Sequence, residues 1–234
     1  LPPIISSFLI ISIVIALFIA LTNGIPINSS MVSNDGYNAL SLRKDKKATR
    51  AFWIQFMINR YLTEDIRLKD MPSDWFELPE EEDMTNNLIS SLAVYKENRL
   101  MDQECFDEAD NLALKLIDGS YNIPDIYKYL LVADRIYIEC INEAREEAIN
   151  ALMDRKYRSF EKTMKDFPSI IRTRYALALC EGSAEKAEKI RQKFRKIKKS
   201  YPTIADIKSE EALMDIAEER TKDRVTRDNN PEDL

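Results

Sequence analysis

The chain begins with a run of apolar residues that is long enough to cross a lipid bilayer. Residues 4–22 contain no charged side chain. As a helix these nineteen residues would span ~28 Å, close to the ~30 Å thickness of the hydrocarbon core of a bilayer. A helix in the core of a soluble protein normally keeps a polar face, which this segment lacks. The sequence therefore predicts one N-terminal transmembrane helix.

The distribution of basic residues argues against a signal peptide and predicts the orientation of this helix. A signal peptide carries basic residues ahead of a shorter apolar core, and here no Lys or Arg precedes Arg43. Five basic side chains instead gather between residues 43 and 50. Because positive charge accumulates on the cytoplasmic side of membrane helices, we expect a cell-membrane protein with a single visible span, a cytoplasmic C-terminal part, and membrane lipid as a partner.

The remainder of the chain has the composition of a helical domain. Only 4 of the 234 residues are glycine, and 32% are charged. Proteins built from β-sheets usually contain more glycine and more β-branched runs. We therefore expect an all-α protein. The net charge of −6 argues against a nucleic acid as partner, which would require a dominant basic face.

The absence of histidine and the spacing of cysteine exclude several kinds of chemistry. Without His, the chain alone offers neither a Ser-His-Asp triad nor an imidazole ligand for a metal ion. Cys105, Cys140 and Cys180 are too far apart for a C-x-x-C motif. An odd number of scattered cysteines is typical of reduced thiols in the cytosol. We interpret all three as small core residues rather than as nucleophiles.

Two segments connect the apolar run to the helical remainder. Residues 51–62 form a short, aromatic, amphipathic helix that is suited either to the membrane interface or to core packing. Residues 69–82 contain two prolines that flank Trp75 and Phe76. Because proline interrupts regular structure, this second segment is predicted to be an ordered linker held by an aromatic anchor.

Helical patterns separated by short breaks continue as far as residue 220. Asp118-Gly119-Ser120 ends one predicted helix, and Ser169 is a candidate N-cap for another. The predicted helices cover residues 86–97, 106–117, 125–140, 143–153, 157–165, 170–181, 184–199 and 204–220. We divide the chain into four parts. Residues 1–42 are the transmembrane and Asp-Gly segment, and residues 43–83 are a juxtamembrane helix with its linker. Residues 84–222 form the helical domain, and residues 223–234 are a frayed polar tail.

The alternation of helices and breaks resembles that of tetratricopeptide repeats. Leu177, Ala178, Phe194 and Pro202 have the spacing of the Leu-small, aromatic and closing-proline positions of that repeat. The repeat is degenerate, because Glu181 stands where an aromatic residue is usual. The resemblance implies an α-solenoid made of helical hairpins, whose concave face binds a protein or peptide partner; the alternative is an irregular helical bundle.

The segment behind the apolar run carries a second resemblance. Asn23 and Pro26 follow the apolar helix, and Asp35-Gly36 comes nine residues after the proline. This order resembles the C-terminal active-site segment of the site-2 protease family of intramembrane zinc metallopeptidases. Residues 67–79 are also similar to the cytoplasmic extension of bacterial members of that family. The spacing between proline and Asp-Gly is longer here than is usual in the family.

The resemblance implies a zinc site to which this chain contributes one ligand. In that family an H-E-x-x-H helix supplies two imidazoles and a glutamate base, and the aspartate of the Asp-Gly motif is the third ligand. Asp35 would then bind the metal, Gly36 would permit the turn, and Asn23 and Pro26 would shape the approach. No H-E-x-x-H is present, so we expect a fragment whose zinc ligands lie upstream; a complete chain would be an inactive relative.

Two functions follow from these observations. The leading expectation is the C-terminal part of a membrane-embedded zinc endopeptidase, with a cytoplasmic helical domain that binds or positions a partner. The alternative is a non-catalytic, membrane-anchored helical-repeat adaptor. At the level of the motif the alternative is an ordinary turn or helix start, because Asn34-Asp35-Gly36 is typical turn chemistry.

Overall fold

The computed structural model describes residues 2–27, 34–43 and 45–229, and these residues form helices and loops without any strand. The α-helices of this part are α1 (Pro3–Gly24), α2 (Asp35–Leu42), α3 (Lys46–Thr63), α4 (Asn87–Asp102), α5 (Phe106–Asp118), α6 (Asp125–Ile141), α7 (Glu146–Leu152), α8 (Arg155–Thr163), α9 (Pro168–Cys180), α10 (Ala184–Lys198) and α11 (Ile204–Asn229). Short 3-10 helices occupy Leu68–Asp70, Ser73–Phe76 and Asp83–Thr85. The expectation of an all-α fold is confirmed.

Helix α1 is long and apolar enough to cross a membrane. Its most apolar window has a mean hydropathy of 3.0, and none of its residues is buried against the rest of the described chain. The Thr22 hydroxyl donates to the carbonyl oxygens of Phe18 and Ile19 at 2.9 and 3.1 Å, which satisfies this group within the helix. The predicted apolar helix is therefore present, and its exposed surface is compatible with a lipid environment.

Helix α3 has one buried face and one exposed aromatic face. It begins where the Asp45 carboxylate accepts a hydrogen bond from the backbone N–H of Ala48 at 3.0 Å, an N-cap. The buried face packs on the linker and on α4, and consists of Ala48, Ala51, Ile54, Ile58 and Leu62. The exposed face carries Phe52, Trp53 and Phe56. The helix predicted over residues 51–62 is therefore present and is longer than predicted. Of the two alternatives for it, core packing describes its buried face.

The segment between α3 and α4 is held by its own aromatic side chains and by an arginine of α4. Trp75 and Phe76 are both buried, as predicted for an anchor. Arg99 donates to the carbonyl oxygens of Met71 and Lys69 at 2.8 and 3.1 Å, and its guanidinium lies 4.5 Å from the centre of the Phe76 ring. These contacts join the linker to the helical domain in a single packed unit.

Helices α4 to α11 form a layered helical domain with α9 near its centre. Helix α5 packs between α4 and α6, and α9 packs against α6, α10 and α11. Helix α5 presents a regular apolar stripe to this core, made of Phe106, Ala109, Leu112, Ala113 and Leu116. Gly119 caps the end of α5 through its backbone N–H, so the predicted break at residues 118–120 is confirmed.

Helices α7 and α9 begin at residues other than those predicted. Ser169 is not the N-cap of α9, which begins at Pro168 with Phe167 as N-cap. Proline suits the first position of a helix because the N–H that it lacks would have no partner within the helix there. Helix α7 begins at Glu146 instead of residue 143, because Ala144 has a positive φ of 54° that interrupts the helical path.

Helices α4 and α11 end several residues later than predicted, because tertiary contacts hold their last turns. Helix α4 continues to Asp102, whose carboxylate accepts from Arg67 Nε at 2.9 Å and from the backbone N–H of Lys69 at 3.0 Å. Helix α11 continues to Asn229, through part of the segment predicted to be a frayed tail. The rest of that tail, residues 230–234, lies outside the described residues.

We predict that Trp75→Ala destabilises the protein far more than Trp53→Ala does. Trp75 is 7% exposed, whereas Trp53 is 47% exposed and touches Trp75 only edge to face. Loss of a buried indole leaves a cavity and costs about 3–5 kcal/mol. Urea-induced unfolding followed by circular dichroism gives the free energy of unfolding of each variant. Equal losses for the two variants would contradict the anchoring role of Trp75.

Candidate functional site

The Asp-Gly motif lies where the end of α1 meets the beginning of α2, and Asn34 joins the two helices. The Asn34 Oδ1 accepts from the backbone N–H groups of Ile27 and Tyr37 at 2.9 and 3.0 Å. The Asn34 Nδ2 donates to the carbonyl oxygens of Thr22 and Ile25 at 2.7 and 2.6 Å. One side chain thus caps α2 and satisfies carbonyl groups at the end of α1.

Gly36 is required by the close approach of these two helices. A Cβ atom at this position would lie 2.5 Å from the carbonyl oxygen of Gly24 and 2.9 Å from that of Asn23. Backbone atoms cannot yield to such a contact, so only glycine fits. Asn23 therefore contributes its backbone to the joint, as part of the last turn of α1. Pro26 is exposed and lies between Ile25 and Ile27, whose backbone groups both bind the Asn34 side chain.

Asp35 is the first residue of α2, and its side chain is exposed. Because Gly36 touches Gly24, the neighbouring Asp35 lies beside the end of α1. A carboxylate in the first turn also interacts favourably with the positive end of the helix dipole. The motif is therefore a helix start, the alternative that the turn chemistry of Asn34-Asp35-Gly36 raised, and this start is fixed at the boundary of the apolar helix.

The joint is also attached to the helical domain. Asn38, one turn after Asp35 in α2, accepts a hydrogen bond at 3.3 Å from the Nδ2 of Asn87 at the beginning of α4. Helix α2 further packs against α3. The element that carries Asp35 is therefore in contact with the apolar helix on one side and with the helical domain on the other.

Asp35 is a single exposed carboxylate. Among the residues that the structure describes, no three His, Cys, Asp or Glu side chains are grouped so that they could hold a metal ion. A catalytic zinc needs three protein ligands and an open position for water. The described residues therefore do not form such a site around Asp35.

A second region of interest is a cavity of about 220 Å³ inside the helical domain. It is bordered by apolar side chains together with a set of tyrosine, acidic and basic groups from α4, α6, α9 and α11. Its polar members include Asp134, Arg172 and Glu210. Ligand pockets are usually larger, about 300–1,000 Å³, but they share this mostly apolar lining with a few polar groups.

One buried arginine organises the polar wall of this cavity. Arg172 is 1% exposed, and its Nη2 donates to Asp134 Oδ1 at 2.5 Å. Its Nε lies 3.4 Å from Glu210 Oε2, and its guanidinium lies 4.5 Å from the centre of the Tyr137 ring. The Tyr137 hydroxyl donates in turn to the carbonyl oxygen of Leu213 at 2.8 Å. These contacts connect α6, α9 and α11.

The interior around Arg172 holds more acid than base. Burial raises the pKa of Glu210 to about 7, although the charge of Arg172 acts in the opposite direction. Glu97 is fully buried next to this cluster, and neither of its carboxylate oxygens has a hydrogen-bond partner among the described residues. Burial, and then the charge of Asp134, raise the pKa of Glu97 well above its ordinary value. Protonation of these acids lowers the cost of enclosing them.

Sequence reasoning named Asp35 and Gly36 but missed the groups that fix them and the cluster around Arg172. Asn34 had a visible signal, since an Asn before Asp-Gly is a typical N-cap. Arg172 also had one, because it interrupts the apolar stretch Ile170-Ile171 at the start of a predicted core helix. Buried arginines require acidic partners, but their positions along the chain had no local signal.

Comparisons with known proteins leave the assignment of function to sequence and geometry. No protein-family model, curated protein or solved structure matches the chain. The features of the molecule that bear on its function are therefore the joint between α1 and α2 at Asp35, the apolar helix α1, and the cavity with its charged wall.

We predict that Gly36→Ala disrupts the joint between α1 and α2, whereas Gly24→Ala does not. The new Cβ at residue 36 would meet backbone atoms, while a Cβ at residue 24 has no neighbour within 4 Å. Hydrogen exchange of the α2 amides in detergent micelles measures the effect. We expect faster exchange across Asp35–Leu42 only in the Gly36 variant. Identical exchange in the two variants would show that the close approach is not required.

We predict that Glu210→Gln makes stability less dependent on pH. In the folded protein the pKa of Glu210 is raised from its ordinary value of 4.5 to about 7, so this carboxyl group keeps its proton up to about pH 7. The contribution of Glu210 to stability is therefore fully present when the pH is below the pKa of this group in the unfolded chain. It is lost as the pH rises through the pKa of the group in the folded protein. Free energies of unfolding at several pH values between 5 and 8 measure the slope. The exposed Glu185→Gln is the control, and an unchanged slope for Glu210→Gln would contradict the prediction.

Proposed function

We propose that this chain is the C-terminal part of a membrane-embedded zinc endopeptidase of the site-2 protease type. The observation that carries the proposal is the joint at Asp35. An acid of the Asp-Gly motif is held beside the end of an apolar helix by the hydrogen bonds of Asn34 and the close approach of Gly36. In this proposal Asp35 is the third zinc ligand, and the other ligands and the general base come from a segment outside these residues.

The residues of this chain would position and neutralise the metal. Bound zinc supplies an open coordination position for water and polarises the carbonyl of the scissile peptide bond. The Asp35 carboxylate offsets part of the charge of the ion, which matters near lipid because isolated charges are costly there. Asn34 fixes the backbone on which Asp35 stands, and Gly36 allows that backbone to reach the end of α1.

In the same proposal α1 crosses the cell membrane and the helical domain is cytoplasmic. The length and apolar composition of α1 support the span. The basic residues that follow it support the orientation, because such residues remain on the cytoplasmic side. The exposed aromatic face of α3, with Phe52, Trp53 and Phe56, is suited to the head-group region of the membrane.

The helical domain is proposed to be a tetratricopeptide-like module that binds a protein or peptide partner. Two positions of the degenerate repeat support this proposal: Ala178 and Phe194 are 0% and 1% exposed and pack in the hairpin of α9 and α10. The cavity beside Arg172 is the candidate binding site for that partner.

The alternative function, a membrane-anchored adaptor without catalysis, also rests on this cavity. A partner site within a helical domain does not require a metal, and a metal site cannot be built from the described residues alone. The two functions differ in what precedes the chain in its gene. An apolar segment with H-E-x-x-H in the same reading frame supports the peptidase, and its absence from the full-length protein supports the adaptor.

We predict that Asp35→Asn in the full-length membrane protein lowers bound zinc and abolishes cleavage of a membrane substrate. An amide cannot replace the anionic ligand, so the metal loses one of its bonds to protein. Zinc per protein by elemental analysis and cleavage of a tagged membrane substrate measure the two effects. Asp70→Asn, at another exposed aspartate, is the control and should retain both.

The outcomes separate the two candidate functions. Loss of zinc and cleavage in the Asp35 variant alone, with both variants still in the membrane fraction, supports the peptidase. A full-length protein that binds no zinc, or an Asp35 variant with unchanged zinc and cleavage, removes Asp35 from the mechanism and leaves the adaptor.

A further inference from the structure

Two cysteines that are 40 residues apart in sequence meet in the folded domain. Cys140 stands near the end of α6 and Cys180 is the last residue of α9. The Cys180 thiol donates to the carbonyl oxygen of Cys140 at 3.2 Å, which brings the two residues into contact. Sequence reasoning interpreted both as small core residues; Cys140 lies in the core and is 1% exposed, and Cys180 packs against that core from its edge. Cys180 is partly exposed.

A cationic side chain completes this arrangement. Arg224 on α11 donates from Nη2 to the carbonyl oxygens of Cys140 and Asn142 at 2.7 and 2.9 Å. These two bonds hold the guanidinium beside the thiol pair, and its Nη1 lies 4.0 Å from the Cys180 Sγ. A fixed positive charge next to a thiol favours the thiolate.

The environment distinguishes the two sulfur atoms. The neighbouring Cys140, and then the Arg224 guanidinium, lower the pKa of Cys180 below its ordinary value, although burial acts in the opposite direction. The interaction with Cys180 and burial raise the pKa of Cys140 well above its ordinary value. A partly exposed thiolate next to a protonated, buried thiol is the arrangement expected of an attacking cysteine and a resolving cysteine.

We propose that Cys140 and Cys180 form a peroxide-sensitive modification site that closes to an intramolecular disulfide between α6 and α9. The geometry that carries the proposal is the hydrogen bond of the Cys180 thiol to the carbonyl oxygen of Cys140, together with the contacts of Arg224 with that same carbonyl and with the Cys180 sulfur. The oxidant is hydrogen peroxide, which is small enough to reach the exposed side of Cys180. The Cys105 thiol, at the start of α5, instead donates to the nearby carbonyl oxygen of Gln103 at 3.7 Å.

The reaction is balanced by the peroxide. The Cys180 thiolate attacks one oxygen of the O–O bond, which breaks, and the leaving hydroxide takes up a proton to form water. The resulting sulfenic acid is attacked by the Cys140 sulfur, the S–S bond forms, and the displaced hydroxide leaves as a second water with the proton of the Cys140 thiol. Two thiols are thereby oxidised by two electrons in total, and the peroxide is reduced to two water molecules.

The disulfide would join two walls of the cavity. Helix α6 contributes Asp134 to that cavity, and α9 contributes Arg172. A covalent bond at the ends of α6 and α9 restrains their separation. Oxidation would therefore act on the same two helices that form the candidate partner site.

The test uses the full 234-residue chain in detergent micelles with hydrogen peroxide. After the reaction, free thiols are alkylated under denaturing conditions and the chain is digested with trypsin, which cleaves after Lys and Arg. Peptides 136–145 and 175–186 contain Cys140 and Cys180, and peptide 100–115 contains Cys105. We expect the first two peptides to appear joined by a disulfide, and the third to remain alkylated.

Variants make the assignment specific. Cys180→Ser should abolish the joined peptides, Cys140→Ser should leave Cys180 as a sulfenic acid that dimedone labels, and Cys105→Ser should react as the wild type does. Arg224→Gln should slow the reaction at pH 7 by about threefold to tenfold, because the loss of thiolate outweighs the gain in nucleophilicity. Failure to join the peptides, or oxidation of Cys105 at the rate of Cys180, overturns the proposal.

Discussion

The helical domain depends on one buried guanidinium. Arg172 reaches from α9 to Asp134 on α6 and Glu210 on α11, and its charge lies over the ring of Tyr137. Removing one partner of a buried ion pair costs about 3–5 kcal/mol, since the other partner remains enclosed without compensation. Three helices from distant parts of the sequence must therefore meet in one register. The same contacts form the polar wall of the cavity, so the stability and the candidate partner site have a common origin.

The parts of the fold that could be predicted are those encoded in short windows of sequence. The scarcity of glycine, the helical periodicity and the breaks predicted an all-α chain, and the helices follow the expected order. Trp75 and Phe76 were identifiable as an anchor because prolines isolate them from any helix. The ends of helices were less predictable, since α4 and α11 are prolonged by contacts of Asp102 and Arg224 with distant elements.

The parts that could not be predicted depend on pairs far apart in sequence. Arg172 and Glu210 are separated by 38 residues and Cys140 and Cys180 by 40, and no local pattern indicates which residues will meet. The Asp-Gly motif is an intermediate case. Its residues were recognisable, but the physical reason for Gly36 was not, because the close approach of Gly24 depends on how two helices fold together.

The short helix α2 gives the helical domain a structural role in the proposed function. At one end, Asn34 bonds the last turn of the apolar helix, and further along, Asn38 accepts a hydrogen bond from Asn87 on α4. Asp35 lies between these two attachments. Because precise placement of a ligand depends on the residues that surround it, a domain fixed to the far side of α2 restricts where that carboxylate can stand. Removal of the domain would leave Asp35 attached through Asn34 and Gly36 only.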